Sequence, residues 1–312
     1  MRTRRTKSSS NPVSPGEPSG KHQSVLLHEA IEALPISEDS VIVDTTLGGG
    51  GHSKEIVAKL GKNGLLIGID ADADAIERVK RLLKGVKART SLHIDNFRNL
   101  KAILSAQKVE KVDGFLFDLG WSSYHLGSGR GFSFNKSEPL LMTYQKEISE
   151  ETLTAEKIVN TWSEESLADI FWGWGEERFS RRIAKAIVER RAEKPIETSN
   201  DLADIISGAT PKWYRHKKIH PATKTFQALR IAVNDEMGAI EEALRDARAL
   251  LSEKGRIAVI TFHSIEDRLV KKTFRAWDQE GKGSAWKLIK PSKQEVEDNP
   301  RARSAKLRVF EK

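Results

Sequence analysis

Residues 41–53, VIVDTTLGGGGHS, constrain the fold of this chain more than any other stretch. Val41, Ile42 and Val43 are β-branched and read as a short buried strand. Asp44 follows, four consecutive glycines come next, and SKEIVAKL then carries a helical period. The block predicts a strand, a tight turn and a helix. Glycine admits positive φ and lets a ligand approach the backbone, while the first turn of a helix offers N–H groups that lack a helical partner. A plain turn would account for the glycines equally well. The next unit sharpens the reading: residues 65–70, LLIGID, form a second strand ending in Asp70, followed by the helical pattern DADAIERVKRLL. In a doubly wound sheet an acid at that place accepts hydrogen bonds from a ribose.

GGGGHS does not match G-x-G-x-x-G, and the chain lacks G-x-x-x-x-G-K-[ST]. Both facts disfavour a dinucleotide or a nucleoside triphosphate and leave an adenosyl group on a methyltransferase-like fold as the better fit. A nucleotide-like fold that has lost its ligand is the alternative. With 38% hydrophobic and 31% charged residues in 312, the chain has ample core, and no apolar run reaches the roughly 18 residues of a membrane span. It has no cysteine, which excludes disulfides, thiolate catalysis and Cys-ligated metal and is compatible with a reducing, cytoplasmic setting. The net charge of +8 favours a polyanionic partner, with a merely solvated surface as the alternative. Residues 1–21 hold five Lys/Arg against one Glu among Ser, Pro and Gly, and read as a disordered basic tail.

Residues 88–94 are a third candidate strand, with Asp95, Asn96 and Phe97 beyond its carboxyl end, where ligands of open sheets bind. Phe97 reads equally as an adenine flank or as core. Residues 111–118, KVDGFLFD, give a fourth strand whose last residue, Asp118, reaches the same edge before the turn Leu119-Gly120-Trp121-Ser122-Ser123. Strand and helix then stop alternating. Residues 130–134 form a loop with two aromatics and a base, and the chain is helical from about residue 152. Thr154, Ser163 and Thr198 precede helical runs as caps do. Residues 176–193 read as one helix with a stripe of Phe179, Ile183 and Ile187. Residues 212–220, KWYRHKKIH, are the densest basic and aromatic segment, the combination that stacks unpaired bases and holds phosphates; Trp213 and Tyr214 read alternatively as a clamp between domains. Helices are expected at 225–237 and 237–251, a strand resumes at 256–261, and residues 262–267 return to the ligand edge. Two last strands, 286–289 and 305–310, are expected to close the sheet. The organisation expected is an α/β sheet interrupted by an all-helical insertion: a tail at 1–21, a discontinuous sheet domain at 22–123 and 221–312, and the insertion at 124–220.

Residues 22–27, 44–52, 118–123, 130–134, 176–184, 218–236, 262–267 and 299–309 together resemble the bacterial methyltransferases that modify N4 of a cytosine in small-subunit (16S) ribosomal RNA near the decoding centre. The resemblance covers the chain from about residue 21 to its end. It implies a Rossmann-like class I methyltransferase sheet interrupted by a helical domain, S-adenosyl-L-methionine as cofactor and no metal. It also implies 16S rRNA of the small ribosomal subunit as partner, a cytoplasmic location away from membranes, and is compatible with a homodimer. By similarity Gly50, Gly51 and His52 line the methionine and ribose end of the cofactor, Asp70 binds the ribose, Phe97 flanks the adenine and Asp118 reaches the adenosyl moiety or the transfer site. His125 stands at a cofactor position where the family has Gln.

On that footing Asp118 is the expected acceptor for the cytosine amine. Trp121 and Phe132 are candidate stacking surfaces, and Ser122 and Ser123 candidates to fix the loop or bind the base. His263 is a candidate proton acceptor or phosphate contact with a structural cap as its alternative. Trp213 is a candidate RNA contact, and Arg130, Lys212, Arg215, Lys217, Lys218 and Lys224 are candidate phosphate contacts. The sequence departs from the family after RGFSF: the family has P-L-D-M-R-M-D where this chain has residues 139–145, PLLMTYQ, so Leu141, Thr143 and Gln145 replace two acids and a base. A ribosome-associated assembly factor that holds the cofactor without efficient turnover is the alternative function.

Overall fold

Alternation along the strands sends successive apolar residues to opposite sides of one sheet, and each side finds its own helices. The computed structural model describes residues 23–120, 128–145 and 147–312. The strands are β1 (Val41–Asp44), β2 (Leu65–Asp70), β3 (Arg89–Ile94), β4 (Val112–Asp118), β5 (Leu251–Thr261), β6 (Ser284–Ala285) and β7 (Lys306–Glu311). Their order across the sheet is β3-β2-β1-β4-β5-β7-β6. The first five are parallel, and β7 runs antiparallel to both β5 and β6. This is the class I methyltransferase arrangement.

On one side Ile42, Leu66, Leu116 and Ile260 pack against α1 (Leu27–Ala33), α2 (Gly51–Lys59) and α3 (Ala73–Leu82). On the other, Val43, Ile67, Phe115, Phe117 and Val259 meet α4 (Leu100–Ala106) and the helices Glu236–Leu250 and Ser264–Gln279. Phe115 and Phe117 are fully buried, each contributing roughly 1.5–3 kcal/mol relative to exposure. The described helices include none long and apolar enough to cross a membrane.

The insertion has a core of its own, built on Ile158, Leu167, Phe171, Ile183, Ile187, Leu202 and Ile206. Thr154, Ser163 and Thr198 cap its helices, accepting from the amides of Lys157, Ser166 and Asp201. Three expectations change. The helix expected from Glu176 begins at Ser180, because Glu176 turns with φ 49° and the Glu177 side chain folds inward to accept from the amide of Phe179 at 2.8 Å and the hydroxyl of Tyr214 at 2.7 Å. The helical core also runs past residue 220: helix Thr223–Asn234 buries Phe226, Ala228 and Leu229 in it, and only after Asp235, at φ 44°, does the chain return to the sheet. Finally, residues 286–289 pair with β7 only intermittently, through Trp286 N to Val309 O at 2.9 Å and a bridge between Ile289 and Leu307, before Pro291, which lacks an N–H, ends the pairing.

Candidate active site

Strand order reverses between β1 and β4, and a cavity of about 580 Å³ opens beyond their carboxyl ends, the usual ligand position of a doubly wound sheet. The sheet side of it is lined by Gly48, Gly49, His52, Asp70, Asn96 and Phe97, with Asp118 at the end of β4. The insertion and the helices after it add Phe132, Tyr144, Arg230, Glu236, His263 and Glu266.

The turn after β1 is held by the acid that ends β2. Gly48 N donates to Asp70 Oδ2 at 2.9 Å and Asp72 N to Oδ1 at 2.8 Å. Gly48 has φ +50° with open space where a Cβ would stand. Gly50 and Gly51, expected at the ligand, do not line the cavity. A Cβ on Gly50 would come within 2.9 Å of Val79 and 2.8 Å of Leu82 on α3, and one on Gly51 would meet Ser24 Oγ at 2.2 Å, so both glycines serve close packing behind the turn. Burial raises Asp70, opposed by the amides of Asp72 and Gly48.

Carboxylates converge at the carboxyl edge of the sheet. Asp44 Oδ2 accepts from Ser53 Oγ at 2.6 Å, and burial pushes Asp44 up to about 6 against that bond and the Thr46 amide. Asp118 is held well above the usual carboxylate range by burial first and then by the charges of Asp44 and Glu266. Its Oδ2 lies 3.6 Å from His52 Nδ1, and its buried Oδ1 has no hydrogen-bond partner among the described residues. His263 caps helix Ser264–Gln279 through a capping box: its Nδ1 accepts from Glu266 N at 3.4 Å, and Glu266 Oε2 accepts from His263 N at 3.3 Å. The cap reading of His263 therefore holds, while its ring still borders the cavity. Burial would raise Glu266, but His263, Arg230 and the Phe262 amide hold it below its ordinary value.

The sequence reading missed the polar wall opposite. Arg230 donates through Nε and Nη2 to Glu236 Oε1 and Oε2 at 2.8 and 2.9 Å, and Tyr144 Oη donates to Glu236 Oε1 at 2.9 Å. Asn234 grips the same segment, accepting from Tyr144 N at 2.9 Å and donating to Met142 O at 2.8 Å. The departure at residues 139–145 thus places Tyr144 in the cavity wall, its ring stacked on Phe132 at 5.6 Å. The available signal was periodic: Phe226, Arg230 and Asn234 recur at i+4, so a cation and an amide share the helix face of a buried phenylalanine. Glu236, His263 and Glu266 each bring a ligand atom within 4.8 Å of one another, although both Glu236 oxygens already hold Arg230.

Other expected residues lie elsewhere. Trp121, Ser122, Ser123 and His125 fall outside the described residues. Arg130 donates to the carbonyls of Tyr144 at 3.1 Å and Gln145 at 3.3 Å and covers the Phe132 ring, tying the loop instead of reaching outward. Lys224, half-buried, donates to Glu176 O at 2.7 Å and closes the turn before helix Ser180–Glu193. Lys212, Trp213, Arg215 and Lys218 do not line the cavity and are exposed on a separate surface. There Trp213, half exposed, meets Phe179 and Tyr214 edge-on, with Arg178 and Lys217 each 5.2 Å from its ring centre.

A family model described as the MraW methylase family matches residues 19–312. Proteins named ribosomal RNA small subunit methyltransferase H are similar over almost the whole chain. The one from Clostridium botulinum (strain Loch Maree / Type A3) is 46% identical, covering 94% of this chain and 99% of its own length. That of Clostridioides difficile (strain 630) is 46% identical over 93% of this chain and 98% of its own length. That of Dictyoglomus thermophilum is 45% identical over 93% of this chain and 96% of its own length.

Proposed function

Because the chain belongs to the MraW methylase family, whose model it matches from residue 19 to its end, we propose that it transfers a methyl group from S-adenosyl-L-methionine to N4 of a cytosine in 16S ribosomal RNA. The chain is an S-adenosylmethionine-dependent methyltransferase, in line with relatives named ribosomal RNA small subunit methyltransferase H at 45–46% identity. The observation that carries the reading is Asp118: a carboxylate at the switch point, on the cavity wall, with a buried oxygen that no described residue satisfies.

The residues present suit the cofactor. Asp70 ends β2 with one lone pair of each oxygen used by an amide and the others available to a ribose diol. Phe97 offers a ring braced edge-on by Phe117 at 6.0 Å for the adenine, and Asn96 a polar edge beside it. When bound, the sulfonium supplies a methyl group that needs no further activation. What the chain must supply is a nucleophile, and the exocyclic amine of cytosine is a poor one because its lone pair is delocalised into the ring. Asp118 accepts a hydrogen bond from that amine, orients it and stabilises the positive charge that grows on nitrogen. The stacked Phe132 and Tyr144 with the Arg230–Glu236 pair form the wall against which an extruded base is placed. The test is methyl transfer to small subunits that lack the modification, followed by identification of the product nucleotide. N4-methylcytosine is expected. Label on an adenine or a ring carbon would sink the stated target, and cofactor binding with no incorporation would favour the assembly-factor alternative.

Lys212, Trp213, Arg215 and Lys218 serve in this reading as a contact for RNA outside the target nucleotide, with aromatic faces for bases and cations for phosphates. Trp213→Ala combined with Lys217→Ala and Lys218→Ala is expected to weaken binding of the RNA substrate at least tenfold at moderate salt, at about 1–3 kcal/mol for a stacked base. The salt dependence of binding should fall by about one unit of slope per lysine removed. Filter-binding titrations over a salt series read both quantities.

A further inference from the structure

His52 is 4% exposed and lies against two oxygens of different character. Its Nε2 is 3.2 Å from the carbonyl of Val25, which can only accept, so Nε2 carries a hydrogen. In a neutral ring Nδ1 then presents a lone pair, and Nδ1 faces Asp118 Oδ2 at 3.6 Å. A lone pair opposite an ionised carboxylate is repulsive; the contact is favourable only with a proton on one of the two groups. The surroundings add to this demand. Asp44 from β1 and Glu266 from helix Ser264–Gln279 both act on Asp118 with negative charge, and Asp70 from β2 acts on Asp44 in turn. Arg230 is already committed to Glu236.

We propose that the His52–Asp118 pair carries one proton in the ligand-free protein and releases it when a sulfonium binds, so that the cleft discriminates between the charged methyl donor and its neutral thioether product according to its own protonation. The proposal rests on the methyl-donor reading above. His52 acts through Asp118 and is a positioning residue. On binding, the proton passes to solvent as a positive charge arrives. In transfer, the N4 lone pair forms the new N–C bond, the C–S pair returns to sulfur, and the N4 proton passes to Asp118, which His52 again braces. Each turnover therefore leaves the pair protonated beside a neutral product. The neutral product gains nothing from the carboxylate, whereas the next donor must expel that same proton, so raising the pH favours donor over product.

The sign follows from linkage. Asp118 binds its proton more tightly than an ordinary carboxylate, owing to burial and then to Asp44 and Glu266. Affinity for a cation that needs the ionised form rises with pH, about tenfold per unit, until Asp118 ionises unaided, while affinity for a neutral ligand stays flat.

Calorimetric titration of the full chain with S-adenosylmethionine and with S-adenosylhomocysteine, in buffers of equal pH but different ionisation enthalpy, counts the protons. Release of about one proton with the donor and none with the product is expected near neutral pH. His52→Gln should lower the count and flatten the pH profile of donor affinity, with retained product binding reporting that the variant is folded. Asp118→Asn should abolish the pH dependence of the donor-to-product affinity ratio. Equal proton release with both ligands, or a wild-type count in His52→Gln, would overturn the proposal. Failure of either ligand to bind the wild-type chain would remove the methyl-donor reading and the proposal with it. Binding of both without RNA methylation would remove only the transfer reading, the proton count still deciding this one.

Discussion

Asp118→Asn is expected to slow methyl transfer by about 10²–10³-fold, measured as single-turnover incorporation of labelled methyl into saturating RNA. The carboxamide keeps the shape of the side chain and the end of β4, whose amide donates to Thr46 Oγ1 at 2.7 Å in either case. It loses the charge that offsets the cation developing on N4 and the capacity to take the N4 proton. Because the interaction strengthens as charge develops, the loss belongs mainly in the rate of the chemical step and less in RNA affinity. A pH signature accompanies it. Asp118 is raised well above the ordinary range, chiefly by burial, and its protonated form cannot accept from the amine. The wild-type rate should climb as pH rises through that raised value and then level, and the variant should lack the climb. A loss smaller than about fivefold, with the climb intact, would make Asp118 a cofactor anchor and assign proton acceptance elsewhere.

Features encoded locally were readable in the sequence. β1, β2, β3 and β4 are short runs whose alternation is complete within a few residues, and Thr154, Ser163 and Thr198 cap helices by bonds that span three positions. Phe97 and Asp118 were placed at the cavity by a general property of parallel sheets, that ligands meet the carboxyl ends of strands. The chemical identity of the target came from resemblance, not from any periodicity. What escaped detection depends on contacts between distant parts of the chain. Tyr144 meets Glu236 across 92 positions, and the Glu177 side chain that delays helix Ser180–Glu193 does so by reaching Tyr214, 37 positions away. Lysine and arginine positions misled for a related reason. A cation in a basic stretch reads as surface, yet Lys224 and Arg130 answer backbone carbonyls left over by turns, which no count of charge reveals.

Arg230→Met is expected to destabilise the folded chain by about 3–5 kcal/mol, a loss that removes one partner of a buried pair and leaves the other charged without its cation. Arg230 is 7% exposed as a side chain and Glu236 12%, and the two are joined by two bonds under 3 Å, so neither charge is relieved by water as a surface pair would be. Burial works against the guanidinium, but Glu236 and Tyr144 more than compensate and keep it charged. The pair also spans Asp235, where helix Thr223–Asn234 of the insertion gives way to helix Glu236–Leu250 on the sheet, and Glu236 fixes the Tyr144 hydroxyl in the cavity wall. Thermal unfolding should therefore show a midpoint lower by roughly 10 °C, together with weakened RNA-dependent turnover. A second substitution separates the electrostatic cause from lost packing. In Arg230→Met/Glu236→Gln the Glu236 charge is no longer stranded, the amide can still accept from Tyr144, and much of the stability should return, since replacing a whole buried pair is often neutral where breaking it is costly. A double variant as unstable as the single one would place the cost in the packing of residue 230 against its neighbours and not in the isolated carboxylate of Glu236.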